Sequence, residues 1–157
     1  HAIELRKKVY HLARQYFHLP NSQRVRVTLQ DAKQALAQLD YGETDLILAD
    51  MFSAMEVSPL QTNQDFLLKC HRLLTNDGWL VLNYHKYTEL DTPFFHQVKK
   101  LFNTALIGSS TNGNYILFAG KRTLNGDLAN YRARIVRLGK LMEQDLTPIY
   151  DRLIRIR

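Results

Sequence analysis

A short apolar run that ends in a carboxylate constrains the fold of this chain more than any other stretch. Residues 46–49 read Leu-Ile-Leu-Ala, and Asp50 follows them directly. Such a run is typical of a strand that is buried on both faces of a parallel sheet. Because ligands of open α/β sheets bind at the carboxyl ends of the strands, Asp50 is the first candidate for a binding or catalytic residue. The alternative is that Asp50 only forms a turn, as Asp commonly does.

Around this run, predicted strands alternate with predicted helices. Apolar and β-branched residues predict strands over residues 1–5, 24–29, 44–50, 79–84, 105–108 and 115–119. Helical spacing of apolar residues predicts helices over residues 6–17, 32–39, 63–74 and 93–102. This order predicts an α/β fold with a mostly parallel sheet and right-handed crossovers, to which the last two strands add an antiparallel hairpin at one edge.

Turn residues mark the boundaries between these elements. Asn76-Asp77-Gly78 is expected to close the third helix, since Gly commonly follows a helix end. Residues 51–62 predict a long loop over the carboxyl edge of the sheet, where such loops often act as lids. From Leu124 onward the pattern is helical, with a break expected at Pro148.

The composition limits the class of protein. The chain has 157 residues, of which 45% are hydrophobic, so it is long enough for one domain with a real core. No apolar run approaches the roughly 18 residues of a membrane span and no signal-peptide pattern opens the chain, which predicts a cytoplasmic location and no membrane partner. The single cysteine, Cys70, excludes an internal disulfide and a cysteine-based metal cluster, and we expect it to be a buried apolar side chain.

The net charge of +6 is concentrated in one part of the chain. Residues 1–120 carry 12 basic and 11 acidic side chains, whereas residues 121–157 carry 9 basic and 4 acidic ones. We therefore divide the chain into a domain over residues 1–120 and a basic helical extension over residues 121–157. A solvated amphipathic helix explains this excess better than a nucleic-acid-binding arm, because no aromatic and glycine residues are interleaved with the charges.

Several short motifs, taken in order, carry a resemblance to a known family. They are Ala2-Ile3-Glu4-Leu5, Ala13-Arg14-Gln15-Tyr16-Phe17, Asp31, Asp45-Leu46-Ile47-Leu48-Ala49-Asp50 and Asn76-Asp77-Gly78-Trp79-Leu80-Val81-Leu82-Asn83. Over about residues 2–120 the chain resembles the spermidine synthases, polyamine aminopropyltransferases built on the Rossmann-like fold of S-adenosylmethionine-dependent methyltransferases. The resemblance does not extend to the basic extension.

The resemblance implies roles for four residues. Glu4 matches the acid that holds the ribose hydroxyls of the nucleoside, and Asp31 matches the acid that receives the adenine amino group, with the amide of Ala32 available to the ring. Asp50 matches the residue that holds and deprotonates the attacking amine. The implied co-substrate is decarboxylated S-adenosylmethionine, or S-adenosylmethionine for a methyltransferase, with no tightly bound cofactor or metal. Alternatively, Glu4 is a surface acid paired with a nearby lysine and Asp31 is only a helix cap.

Some positions depart from the family pattern. Ser53 stands where a second acid would anchor the far charge of a diamine, and Arg6 stands where another acid is usual. The glycine-rich loop, the central first strand and a small β-domain of the family would precede residue 1, so we expect the chain to be part of a longer protein. His85, Tyr84 and Tyr87 follow a strand at the predicted binding edge, and none is assigned a role.

Three functions therefore stay open. The leading one is aminopropyl transfer to an amine, and the second is methyl transfer from the same nucleoside site. The third is a non-catalytic relative whose basic extension docks on an acidic partner. The resemblance also implies a possible homodimer. The prediction common to the first two is that Glu4, Asp31 and Asp50 converge at one sheet edge on one small molecule.

Overall fold

The computed structural model describes residues 1–52, 58–84, 90, 92–110 and 113–156. The chain forms two compact units, His1–Asp40 and Tyr41–Arg157. Within the described part of the chain, no helix combines the length and apolar character that a bilayer span requires.

The first unit is built from two strands and two helices. Its elements are β1 (Ala2–Glu4), α1 (Lys7–Tyr16), β2 (Val27–Leu29) and α2 (Ala32–Leu36). The strands pair in parallel, with Glu4 opposite Leu29. All four predicted elements of this region are confirmed, although β2 and α2 are shorter than their sequence patterns.

The second unit is a five-stranded sheet with helices. Its elements are β3 (Thr44–Ala49), α3 (Gln64–Leu73), β4 (Leu74–Tyr84), α4 (Pro93–Leu101), β5 (Thr104–Ser109), β6 (Tyr115–Gly120), a 3₁₀ turn (Leu128–Tyr131), α5 (Arg132–Leu141), α6 (Thr147–Tyr150) and β7 (Ile154–Arg155). The strand order is β3-β4-β6-β5-β7, in which β3 and β4 are parallel and the other pairs are antiparallel. The predicted α/β class with an antiparallel hairpin is confirmed.

The core of the second unit lies between the sheet and the helices α3 and α4. Fully buried side chains come from both helices and from the central strands, namely Leu67, Cys70, Phe95, Val98, Leu80, Leu82, Leu117 and Ala119. Burial raises the pKa of the Cys70 thiol to about 12. Cys70 is therefore the buried, unreactive side chain that the sequence predicts.

The prediction that residues 46–50 are buried on both faces is wrong. Leu46 is 52% exposed and Leu48 is 69% exposed, whereas Ala49 on the opposite face is buried. Leu46 and Leu48 share one face of β3 and Ala49 lies on the other, so only one face of this strand is covered, and β3 also ends the strand order of its sheet among the described strands. The apolar run is thus an edge strand with one apolar face open to solvent in this chain.

The third helix ends within one residue of its predicted boundary, but the prediction that Asn76-Asp77-Gly78 closes it is wrong. Helix α3 ends at Leu73, and Leu74 has an extended backbone and begins β4 opposite Thr44. Leu74 is fully buried, so packing rather than a glycine turn ends the helix. A Cβ at Gly78 would lie 3.0 Å from the Leu74 side chain and from the Thr44 carbonyl oxygen. The absence of a side chain at Gly78 therefore lets the backbone of β4 lie close to both groups.

The C-terminal extension departs from the all-helical prediction at two points. Pro148 lies in the first turn of α6, where a backbone N–H has no partner within the helix. The helix break that was predicted at Pro148 is therefore not observed. Strand β7 then follows and pairs with β5 through Leu106 and Ile107. The extension therefore contributes a strand to the sheet of the second unit.

Candidate nucleoside and amine site

Two of the predicted site residues lie at one edge of the first unit. Glu4 is the last residue of β1, and Asp31 follows the end of β2 by two residues. Because β1 and β2 are paired and parallel, their carboxyl ends meet at the same edge, and the amide of Gln30 donates to the Glu4 carbonyl oxygen at 3.0 Å. Glu4 and Asp31 therefore lie at the carboxyl ends of two neighbouring parallel strands, and their shared ligand stays a prediction.

Asp31 is the N-cap of α2. Its Oδ1 accepts hydrogen bonds from the amides of Lys33 at 2.9 Å and Gln34 at 3.4 Å. Both bonds end on the same oxygen, so Oδ2 takes no part in the cap, and the amide of Ala32 lies outside it. Asp31 is therefore a helix cap, and its contact with a nucleoside stays a prediction, since Oδ2 and the Ala32 amide are not used by the cap.

Glu4 is held by the turn that leads into α1. Its Oε1 accepts a hydrogen bond from the Arg6 amide at 2.7 Å, and the Arg6 Nε lies 3.9 Å from the same oxygen. The alternative, in which Glu4 pairs with the nearby Lys7 or Lys8, is not observed: the charged side chain beside Glu4 is that of Arg6. The Glu4 carboxylate is half-buried and is oriented by the backbone, with Oε2 outside these two contacts.

Asp50 lies in the second unit, directly after β3. Its Oδ1 accepts a hydrogen bond from Asn83 Nδ2 at 2.9 Å, and Asn83 is in β4, the neighbouring parallel strand. Asp50 is exposed, so its carboxylate is open to a ligand. By contrast, Asp45 at the start of β3 accepts from Thr75 Oγ1 at 3.1 Å. The convergence of Asp50 with Glu4 and Asp31 stays a prediction.

Two polar residues beside Asp50 were missed by the sequence analysis. Asn83 has its Oδ1 buried with no hydrogen-bond partner in the described chain. Gln61 is fully buried, accepts from the Met51 amide at 3.0 Å and donates to the Asn83 carbonyl oxygen at 2.8 Å. Asn83 could have been found because it ends the strand after Asp50, but no local pattern around Gln61 predicts its burial.

Several residues discussed from the sequence lie outside the described part of the chain. They are Ser53, His85 and Tyr87, together with residues 54–57 of the predicted lid. Among the residues that the structure does describe, no group of three or more His, Cys, Asp or Glu side chains could hold a metal ion.

Part of the basic excess of the extension is used within the chain. Arg132 forms a two-pronged ion pair with Asp151, one bond of which is 3.1 Å long. Arg155 donates to the carbonyl oxygens of Leu124 and Gly126. These contacts give part of the charge a structural role, and the absence of a nucleic-acid-binding arm stays a prediction.

The parallel strand pairs and the antiparallel hairpin form a spermidine synthase-like α/β fold of the methyltransferase type. A curated polyamine aminopropyltransferase from Chromobacterium violaceum is 24% identical over 124 residues, which are 78% of this chain and 48% of the relative. The chain thus spans about half the length of the curated relative it matches. No family model matches the chain.

Solved structures show the same fold. The crystal structure of a probable spermidine synthase from Corynebacterium glutamicum superposes with a TM-score of 0.71 at 20% identity, covering 85% of this chain and 53% of that one. Human methyltransferase-like protein 13 in complex with SAH superposes with a TM-score of 0.65 at 24% identity, covering 80% of this chain and 61% of that one. The resemblance drawn from the sequence motifs is confirmed at the level of the fold.

Proposed function

We propose that this chain is the nucleoside-binding and base-bearing part of a spermidine synthase-like aminopropyltransferase. The observation that carries the proposal is the Asp50 carboxylate, which lies at the carboxyl end of β3 and is oriented by Asn83 from the next strand. A carboxylate in this position is suited to receive an amine and its proton. The likeness to a polyamine aminopropyltransferase supports the same reaction class.

The proposed reaction is an in-line displacement at the carbon bonded to a sulfonium sulfur, which is the leaving group. The amine nitrogen attacks the carbon of the aminopropyl group that is bonded to sulfur, a C–N bond forms, and the C–S bond breaks. The electron pair leaves with sulfur as methylthioadenosine, and the nitrogen loses a proton to Asp50. A base is needed because free amines are mostly protonated at neutral pH and only the neutral nitrogen is a nucleophile.

The nucleoside would be held at the edge formed by Glu4 and Asp31. A carboxylate can accept from both vicinal ribose hydroxyls, and Glu4 is already fixed by the Arg6 amide. Asp31 has one oxygen outside its cap that can accept from the adenine amino group, beside the Ala32 amide. A relative of this fold has been solved with SAH, which supports an S-adenosylmethionine-type co-substrate.

Product analysis tests the proposal. The full-length protein, with any segment that precedes residue 1, is incubated with decarboxylated S-adenosylmethionine and a panel of primary diamines, and methylthioadenosine is measured by chromatography. Asp50→Asn is expected to lower its formation at least ~100-fold without changing nucleoside binding, as loss of a general base does. Asp45→Asn, at the other end of β3, is the matched control and is expected to retain activity. Unchanged turnover in Asp50→Asn would remove Asp50 from the mechanism.

Methyl transfer is the second candidate, favoured by the likeness to human methyltransferase-like protein 13. It would use the same nucleoside site with S-adenosylmethionine and would release S-adenosylhomocysteine. Formation of that product, with none of the methylthioadenosine, would decide for methyl transfer. Binding of methylthioadenosine without turnover of either sulfonium would instead identify a non-catalytic relative.

A further inference from the structure

Gln61 joins the ends of the two strands that carry Asp50 and Asn83. The parallel ladder between β3 and β4 ends with the pair Ala49 and Leu82. Immediately beyond it, the Gln61 side chain accepts from the Met51 amide at 3.0 Å and donates to the Asn83 carbonyl oxygen at 2.8 Å. One fully buried side chain thus bridges the two backbones where their direct pairing stops.

This bridge fixes the backbone that follows Asp50, beyond the end of the β3 and β4 ladder. On one side, Ala49 is buried and held in the ladder; on the other, the Met51 amide is held by Gln61. The Met51 carbonyl oxygen also accepts from the Ser58 amide at 2.9 Å. Asp50 therefore lies between two fixed neighbours, although its own side chain is exposed.

The same bridge fixes the partner of the Asp50 carboxylate. Gln61 holds the Asn83 main chain, and the Asn83 side chain donates to Asp50 Oδ1 at 2.9 Å. A buried amide whose two ends are both bonded is a rigid connector, because breaking either bond leaves a polar group unsatisfied. Gln61 thus contacts both sides of the Asp50 and Asn83 pair without touching the carboxylate.

We propose that Gln61 is a positioning residue that holds the Asp50 carboxylate in the geometry required for proton removal from the amine. The inference rests on the proposed function, because it assigns Gln61 a role through Asp50. Displacement of a reacting group by about 1 Å can cost on the order of 100-fold in rate. We therefore expect loss of Gln61 to lower kcat while the nucleoside still binds.

The test is a double-mutant cycle on turnover. Gln61→Leu keeps the size of the side chain and removes both hydrogen bonds, and we expect kcat to fall roughly 10- to 100-fold with little change in KM for the sulfonium. In the Asp50→Asn background, Gln61→Leu is expected to cause no further loss, since both changes act on one group. Gln64→Leu, an exposed glutamine in α3, is the matched control.

Two results would overturn the inference while leaving the proposed function intact. One is a folded Gln61→Leu protein with unchanged kcat, and the other is an equal loss with and without Asp50. If Asp50→Asn itself keeps full turnover, the proposed function fails instead.

Hydrogen exchange gives a readout that does not depend on activity. The Met51 amide is expected to exchange slowly in the unaltered protein and faster in Gln61→Leu, in which its side-chain acceptor is gone. If the Met51 amide of the unaltered protein exchanges as fast as exposed loop amides, the bridge is refuted even where Gln61→Leu does not fold.

Discussion

Asp31 offers the sharpest test of the proposed nucleoside site, because one substitution can change Oδ2 and still leave an oxygen that caps α2. Oδ1 accepts both cap bonds, from Lys33 at 2.9 Å and from Gln34 at 3.4 Å. Asp31→Asn keeps an oxygen for the cap and places an NH₂ group where Oδ2 stood. Asn caps helices as well as Asp does, so α2 should remain intact. The NH₂ group would face the adenine amino group, donor against donor.

The expected loss in binding follows from the bond that this substitution removes. A hydrogen bond to a charged acceptor contributes about 1.5 to 3 kcal/mol, which corresponds to a roughly 10- to 150-fold rise in Kd for methylthioadenosine. Asp31→Ala would lose this bond and the cap as well, which costs a further ~0.5 to 2 kcal/mol of stability. Comparison of the two variants therefore separates the binding role of Asp31 from its role in the helix.

Titration calorimetry measures the Kd, and hydrogen exchange of the Lys33 amide reports the cap. Asp31→Asn should weaken binding and leave the Lys33 amide protected, whereas Asp31→Ala should lose both. The matched control is Asn63→Ala, which removes the similar cap of α3, where Asn63 accepts from the Asp65 amide at 2.7 Å. If Asp31→Asn binds methylthioadenosine as tightly as the unaltered protein, Asp31 is a helix cap and the proposed adenine contact is refuted.

Three further predictions concern the second unit. Gly120→Ala should lower the free energy of unfolding of this unit by about 1 to 3 kcal/mol, because the new Cβ would lie 2.9 Å from the ring of Trp79. Urea unfolding measures the loss. An equal loss in a Trp79→Leu background would contradict the reasoning. Burial and then the charge of Lys121 lower the pKa of His71 below 6.5. The stability that depends on neutral His71 should therefore be fully present above pH 6.5 and be lost as the pH drops through the lowered pKa. His71→Gln should flatten this dependence in pH-dependent unfolding, and an unchanged pH dependence would contradict the reasoning. The Cys70 thiol should react with a disulfide reagent only on unfolding, since burial raises its pKa to about 12; rapid reaction of the folded protein would show that the site is open.

The parts of the fold that depend on local chemistry could be predicted from the sequence. Asp31 and Asn63 cap helices because each is a short polar side chain ahead of an apolar repeat. Cys70 is buried because its helical neighbours are leucines. Such features need only a few adjacent residues, so their patterns are visible in the chain.

The parts that depend on distant neighbours could not be predicted in the same way. Leu46 and Leu48 match the pattern of a strand buried on both faces, but their exposure is decided by what packs on their face of β3. Gln61 is buried only because the ends of β3 and β4 present an amide and a carbonyl group to it. Its role is set by residues that lie 10 and 22 positions away along the chain.

The open edge of β3 affects how solution measurements on this chain can be interpreted. An edge strand with exposed leucines presents a row of backbone donors and acceptors to any other extended segment, including a second copy of itself. Concentrated samples could thus associate edge to edge and give the apparent mass of a dimer. A fall of the apparent mass to that of a monomer in Leu48→Lys would show that the species forms through the exposed β3 strand. Only a dimer that persists in that variant would support the predicted homodimer.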